Sequence, residues 1–471
     1  MRHSLKHKIY TALRIGCLWL FALICLAPFY VAFCYAFKSK ADFAETQLAF
    51  PTTLYLQNFK DALELKNYFN SVKNSAIVAI GVVILIIIFC SMSAYMITRR
   101  NNKFYNVIFY IFQMVILVPF QSIMFPLYKE LYTMHALSTL WGLVRLVDPF
   151  FQYHKPLSGF PYKVDNQLSQ NPGMARKLDY TSVLLGSSMT ASFDTDWFME
   201  ELGENTVKLS YNGAYPKDEA NIMELIFDAK KDTVKTVFMA IDQGTFSADV
   251  NETKYPIPEY LYDKNPFNNI QYVFNKDVIL NYILKPLVDE TERTDWTQLY
   301  KPWWTDQYYT KANVLMYYVP AEEAEEEMEA DVFLDGVEAN LQTNILPYIE
   351  AHPETEFVFF YPPYSILYWN DVMRLKQLDA VIEELSYMTE RLLSYENVRV
   401  FCFQNQRQIV CDLNNYADYT HYHADVCRYI VECFANGDCE LTQENYEGVF
   451  EDLRELASGY DYEAIYDNWY D

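Results

Sequence analysis

The sequence predicts an α/β domain on a mostly parallel sheet, preceded by an all-α membrane region of three transmembrane helices. Three observations carry that prediction. The charge is divided along the chain: of 37 Lys+Arg and 62 Asp+Glu in 471 residues, residues 1–147 hold 14 basic and 5 acidic side chains, a balance of +9, and the remainder carries −34. Every long apolar run lies in the basic part. In the acidic part the apolar runs are short and alternate with amphipathic helical patterns, the arrangement of a sheet covered on both faces. A net charge of −25 argues against a nucleic-acid partner, because phosphate binding needs clustered cations.

Taken in order, Ile15–Phe37, Ser75–Ile97 and Phe104–Leu127 are each long and apolar enough to cross a bilayer, which takes about 20 helical residues. The first exceeds a signal peptide's apolar core and is followed by two more spans, so it is expected to be retained. Arg2, Lys6, Lys8 and Arg14 precede it, and Arg99, Arg100 and Lys103 separate the second and third spans. Excess positive charge marks the cytoplasmic side, so everything after Leu127 is expected outside, with the lipid bilayer as a partner. Lys38, Lys40, Lys60, Lys66 and Lys73 in the first outer loop run against this rule.

From residue 148 to 471 the apolar runs Tyr180–Leu185, Thr206–Ser210, Val234–Ile241, Glu356–Tyr361 and Asn397–Phe403 read as buried strands. Lys217–Ala229, Asp371–Leu393 and Ala424–Ala435 read as helices. A site is expected at the carboxyl ends of the strands. There the first strand runs into Gly186-Ser187-Ser188-Met189-Thr190, a turn that either lifts a serine hydroxyl above the sheet edge or simply caps a helix. Near the other end, Asp418-Tyr419-Thr420-His421 places a carboxylate where it can fix the tautomer of an imidazole.

Two resemblances follow from these motifs. Ala27-Pro28-Phe29-Tyr30, Ala36-Phe37-Lys38, Leu56-Gln57-Asn58-Phe59, Asn74-Ser75, Met92-Ser93-Ala94-Tyr95, Val118-Pro119-Phe120-Gln121 and Thr139-Leu140-Trp141-Gly142 resemble the N-terminal part of a maltose-type carbohydrate ABC permease subunit, over residues 8–146. The Glu-Ala-Ala loop by which such subunits dock on their ATPase does not follow, so the region reads as a truncated permease, an anchor or a fusion. The serine turn, Phe359-Phe360-Tyr361-Pro362-Pro363-Tyr364-Ser365-Ile366-Leu367 and Asn415-Tyr416-Ala417-Asp418-Tyr419-Thr420-His421-Tyr422 resemble SGNH (GDSL-like) hydrolases of the DltD-like extracellular acyl-transfer branch, over residues 148–470.

The second resemblance implies a three-layer, flavodoxin-like fold with Ser188 as nucleophile, His421 as general base and then acid, and Asp418 as its orienter. The oxyanion hole would use Ser188, Gly213 and, in place of the usual asparagine, the Gln243 amide, since an ionised Asp242 could not donate. It implies an acyl-bearing envelope polymer or glycan as substrate and a membrane-bound acyltransferase as partner, with no cofactor. A non-catalytic glycan-binding module and a sugar permease subunit are the competing readings.

Other features carry plainer expectations. His421 and His423 lack a zinc-like ligand set, so no metal is expected. Glu322–Glu329 reads as a solvated face, and Tyr361–Tyr368 with Trp369 as either a groove or core packing. Cys17, Cys25, Cys34 and Cys90 lie in the spans. Cys402, Cys411, Cys427, Cys433 and Cys439 lie in the outer domain, where Cys433 with Cys439 could close a short loop.

Overall fold

The computed structural model describes residues 136–265, 268–302 and 306–466, with a few positions among the first 135. The three expected spans lie almost wholly outside the described residues. Among the described residues no helix is long and apolar enough to cross a membrane. Internal contacts divide the chain into Met1–Leu127 and Tyr128–Asp471. The division falls before 147/148 because α1 (Ala136–Val147) places Val144 and Val147 in the core of the second unit.

In that unit α2 (Gln167–Lys177), β1 (Ser182–Leu185), α3 (Thr195–Leu202), β2 (Thr206–Lys208), α4 (Pro216–Lys230) and β3 (Thr236–Ala240) follow one another. A long helical excursion leads to β4 (Glu356–Tyr361), α5 (Ile366–Arg374), α6 (Leu378–Leu392), β5 (Val398–Cys402), α7 (Ala424–Asn436), β6 (Glu440–Leu441) and α8 (Tyr446–Gly459). The sheet order is β2-β1-β3-β4-β5-β6. The first five strands are parallel and β6 is antiparallel to β5. This is an α/β architecture, and the five expected strands are all present, most of them trimmed by one or two residues at an end. All residues of these strands but Glu356 at the start of β4 and Arg399 in β5 are buried, which is why they read as continuous apolar runs rather than alternating ones.

One helix departs from expectation. The segment 371–393 is two helices, because Lys376 takes a left-handed conformation (φ 52°) and the Gln377 N–H turns back to the Val372 carbonyl at 2.9 Å. That is a helix stop of the kind glycine usually makes, here made by lysine. Cys402, Cys411, Cys427, Cys433 and Cys439 are free thiols, so the short Cys433–Cys439 loop is not closed. Tyr361, Tyr364 and Trp369 are buried, which makes that aromatic run core and not groove.

The base of the domain depends on one close approach. A Cβ on Gly173 would stand 1.9 Å from the Phe150 carbonyl oxygen, so α2 lies directly on the backbone that follows α1. Gly173→Ala is therefore expected to destabilise the unit by about 1–3 kcal/mol through overpacking, read as a lower midpoint in thermal unfolding.

Candidate functional site

The serine turn is built from below. Gly186 has φ +136°, and a Cβ there would stand 2.8 Å from both Ala240 Cβ and Thr190 Cγ2, so only glycine fits between β1 and β3. Ser187 caps the following turn, its Oγ accepting from the Met189 N–H at 3.3 Å. Thr190 and Ala191 donate back to the Ser187 and Ser188 carbonyls at 3.1 Å each. The fully buried Lys208 on β2 donates to the carbonyls of Ala191 (2.7 Å) and Phe193 (2.5 Å), pinning the segment after the serine. Burial lowers the Lys208 ammonium to about 7.

The second loop is a tight hairpin. Tyr416 and Tyr422 bridge across it, Ala417 donates to the His421 carbonyl at 2.9 Å, and His423 donates to the Asn415 carbonyl at 2.7 Å. Two anchors tie it to the rest of the site. The Tyr422 hydroxyl donates to the Met189 carbonyl at 2.8 Å, and the Ser365 hydroxyl to the Tyr419 carbonyl at 2.6 Å. The first of these crosses 233 residues of sequence to join the hairpin to the serine turn.

These two loops bring three side chains into one chain of hydrogen bonds. His421 Nε2 lies 2.8 Å from Ser188 Oγ, and His421 Nδ1 lies 2.7 Å from Asp418 Oδ2. Asp418 Oδ1 accepts from the N–H groups of Thr420 and His421, both at 2.8 Å, so the carboxylate is held from behind. Partial burial would raise Asp418, but the His421 hydrogen bond and charge, with these two N–H donors, outweigh it and hold the carboxyl at about 2. Ser188 and the imidazole are each partly accessible, at the carboxyl edge of the sheet. The arrangement has what proton removal from a serine needs: a base within reach of the hydroxyl and an orienter behind the base.

The oxyanion side differs from expectation. Gln243 is fully buried and its amide is already engaged: Nε2 donates to the Tyr368 hydroxyl at 3.3 Å and Oε1 accepts from Gln404 at 3.1 Å. Gln243 is thus a core residue, not a free donor. Gly213 adopts φ +70° in a loop tied to the serine turn by the Tyr211 N–H on the Gly186 carbonyl at 2.9 Å. Among the described residues neither the Ser188 nor the Gly213 N–H donates to a protein acceptor. His423 faces Asp306, Asp425 and the Tyr309 ring instead of the serine. Among the described residues no group of His, Cys, Asp or Glu is arranged to hold a metal.

Sequence reasoning missed Glu219, which frames this chain together with Ser187, Asp242 and Tyr364. Ser187, Asp242 and Glu219 line a water-sized cavity under the turn, and Tyr364 bonds to the Asp242 carboxyl. The sequence signal was there in part: Asp242 and Gln243 adjoin at the end of a predicted strand, and only the packing decides which of the two faces the serine.

If this arrangement turns over esters, Asp418→Asn is expected to lower that turnover about ten-thousandfold while leaving the fold intact, since an amide no longer fixes the tautomer that presents a basic Nε2 to Ser188. Comparing turnover of p-nitrophenyl acetate by variant and parent, at matched circular dichroism, checks it.

Comparison with known proteins gives a different kind of information. In its N-terminal region the chain is similar to the probable starch degradation products transport system permease protein AmyC of Thermoanaerobacterium thermosulfurigenes. The identity is 32% over 170 residues, 35% of this chain and 61% of the relative. It is also similar to the melibiose/raffinose/stachyose import permease protein MelC of Bacillus subtilis strain 168, with 31% identity over 102 residues, 22% of this chain and 37% of the relative. A third relative is the multiple sugar-binding transport system permease protein MsmG of Streptococcus mutans, at 29% over 144 residues, 30% and 50% of the two chains. The chain spans about half the length of the curated relatives it matches. No protein-family model and no solved structure matches it.

Proposed function

We propose that the second unit is a serine-dependent acyl-ester hydrolase or acyltransferase, of the SGNH type that its motifs resemble. The observation that carries this reading is the chain Ser188 Oγ, His421 Nε2 and Nδ1, Asp418 Oδ2, with links of 2.8 and 2.7 Å. In the first step Ser188 Oγ bonds to the ester carbonyl carbon while its proton passes to His421 Nε2, and the Ser188 and Gly213 N–H groups meet the charge on the former carbonyl oxygen. Collapse breaks the bond to the leaving alcohol, which takes the proton from His421. Water or an acceptor hydroxyl then attacks the acyl-serine while His421 Nε2 takes its proton, and collapse breaks the bond to Ser188 Oγ, which takes that proton back and releases the acid or the new ester. Asp418, ionised throughout the neutral range, stabilises the imidazolium in both steps. The substrate class is an acyl ester on an envelope polymer or glycan outside the membrane, with a membrane-bound acyltransferase as partner. An alkyl fluorophosphonate is expected to add one phosphonyl group to Ser188, seen by peptide mass spectrometry. A folded chain that never reacts, but binds glycans on an array, would instead mark a binding module.

For the N-terminal region the comparisons favour another reading, and favour it more than they do any enzyme. The three curated relatives are sugar-import permeases, which supports a membrane location and a permease-like segment that once took or still takes part in sugar uptake. On this reading the second unit is carried at the membrane by three permease-like spans. A pull-down from detergent extracts tests it: recovery of a stoichiometric ATP-hydrolysing subunit supports transport, whereas its absence leaves the segment as a tether.

A further inference from the structure

The helical excursion between β3 and β4 contains a helix that is largely apolar on both sides. Val278–Leu284 is a wide, π-type helix that runs on into the α-helical turn Lys285–Val288. Val278, Ile283 and Pro286 are buried in the domain, as the inner side of a surface helix should be. Leu280, Leu284, Leu287 and Val288 recur at spacings that return to one face, and between 45% and 84% of each lies exposed. A surface helix normally turns polar residues outward, and one that is apolar all round is covered by something.

The helix is fastened to the place where the chain enters the domain. It lies against α1. Tyr282 meets the Phe150 ring edge-on at 4.9 Å, and Phe150 stacks on Tyr272 at 5.0 Å. The Tyr272 hydroxyl donates to Asp148 at 2.9 Å and accepts the Phe150 N–H at 3.0 Å. Leu146, in the last turn of α1, is exposed as well. On the membrane reading the third apolar stretch ends at Leu127, nine residues before Ala136 opens α1, and nine residues reach at most about 30 Å. The stripe therefore stands on the part of the domain that the tether keeps close to lipid. The charges flanking it, Lys276 and Lys285 against Asp277 and Asp289, cancel. The excess of acidic residues in the domain offers an anionic surface no attraction, which leaves apolar burial as the driving term and uncharged phospholipid as the surface that fits.

We propose that Leu280, Leu284, Leu287 and Val288 dock the second unit on the bilayer beside its tether, entering the boundary between the headgroups and acyl chains of uncharged phospholipid. The inference rests on the membrane reading of the N-terminal region and is independent of the serine chemistry. It adds that the second unit touches lipid itself instead of hanging free from its spans.

The experiment places the full chain in phosphatidylcholine nanodiscs, with the photoreactive residue p-benzoylphenylalanine in place of Leu284, Val288 or Val319. Val319 is an exposed apolar reference away from the stripe, next to Tyr318, whose hydroxyl donates to Asp371 of α5. After illumination, peptide mass spectrometry reads the addition of one phospholipid. Lipid adducts at 284 and 288 are expected to exceed those at 319 by about tenfold, the contrast between a side chain at the acyl boundary and one in water. Adding L280E and L287E is expected to bring the adducts at 284 down to the level at 319, because carboxylates resist that boundary. Two probe positions keep the result readable where one of them disturbs folding. Equal adducts at all three positions, adducts to protein in place of lipid, whether to residues 1–127 or to a second copy, or adducts unmoved by L280E and L287E overturn the inference alone. A folded chain that does not enter nanodiscs overturns the membrane reading and this inference with it.

Discussion

Ser188→Ala is expected, on the proposed serine acyl-transfer reading, to lower ester turnover by about a millionfold, because on that reading the hydroxyl is the atom that bonds to the acyl carbon. The geometry makes the outcome specific. His421 Nε2 is 2.8 Å from Ser188 Oγ, so its removal leaves an imidazole still held by Asp418 at 2.7 Å but with nothing to deprotonate. Residual rate over water, from the Ser188 and Gly213 N–H groups and from binding, is expected to remain. The alanine variant is expected to melt at the parent's temperature, since Ser188 Oγ takes no part in capping the turn, a task that falls to Ser187. The check is a pre-steady-state burst of p-nitrophenol in the parent, absent in the variant, together with loss of the acyl adduct on Ser188 in intact mass. Undiminished turnover in the variant would place the nucleophile elsewhere.

Much of this was legible in the sequence, for identifiable physical reasons. β1 to β5 are short, apolar and buried, and such strands announce themselves as uninterrupted runs. Gly186-Ser187-Ser188 and Asp418-Tyr419-Thr420-His421 are each local motifs, so order along the chain conveyed that Ser188, His421 and Asp418 could meet, as their hydrogen bonds of 2.8 and 2.7 Å do. What was not legible depends on partners far away. Gln243 is held by Gln404, 161 residues on, and by Tyr368, 125 residues on, and no local pattern signals that its amide is spent. β6 is two residues long and exists because β5 offers it an edge. The break at Lys376 lacks the glycine that would have marked it. The charge division located two kinds of polymer, but not the boundary: α1 carries part of the permease resemblance and packs with the second unit, because Val144 and Val147 find a core there.

Glu384 is expected to give the second unit a stability that falls steeply between mildly acidic and mildly alkaline pH. It sits on the buried face of α6, 1% exposed, and its Oε1 has no partner. Burial pushes its carboxyl from 4.5 up to about 8. The linkage runs in one direction. Below about 4.5 the group is protonated in both folded and unfolded chains and does not make stability depend on pH. Between about 4.5 and 8 the unfolded chain releases a proton that the folded chain keeps, so stability declines as pH rises. The full decline, complete above the folded value, is of order 4–5 kcal/mol at about 1.4 kcal/mol per pKa unit. Glu384→Gln cannot ionise and is expected to remove that slope while retaining the shape of the side chain. In urea unfolding of the full chain, parent and variant are expected to have similar midpoints at pH 5 and to diverge by pH 8.5, with the glutamine chain the more resistant. Midpoints that keep a constant separation at both pH values would mean that Glu384 is charged in the fold, or reaches water that α6 excludes.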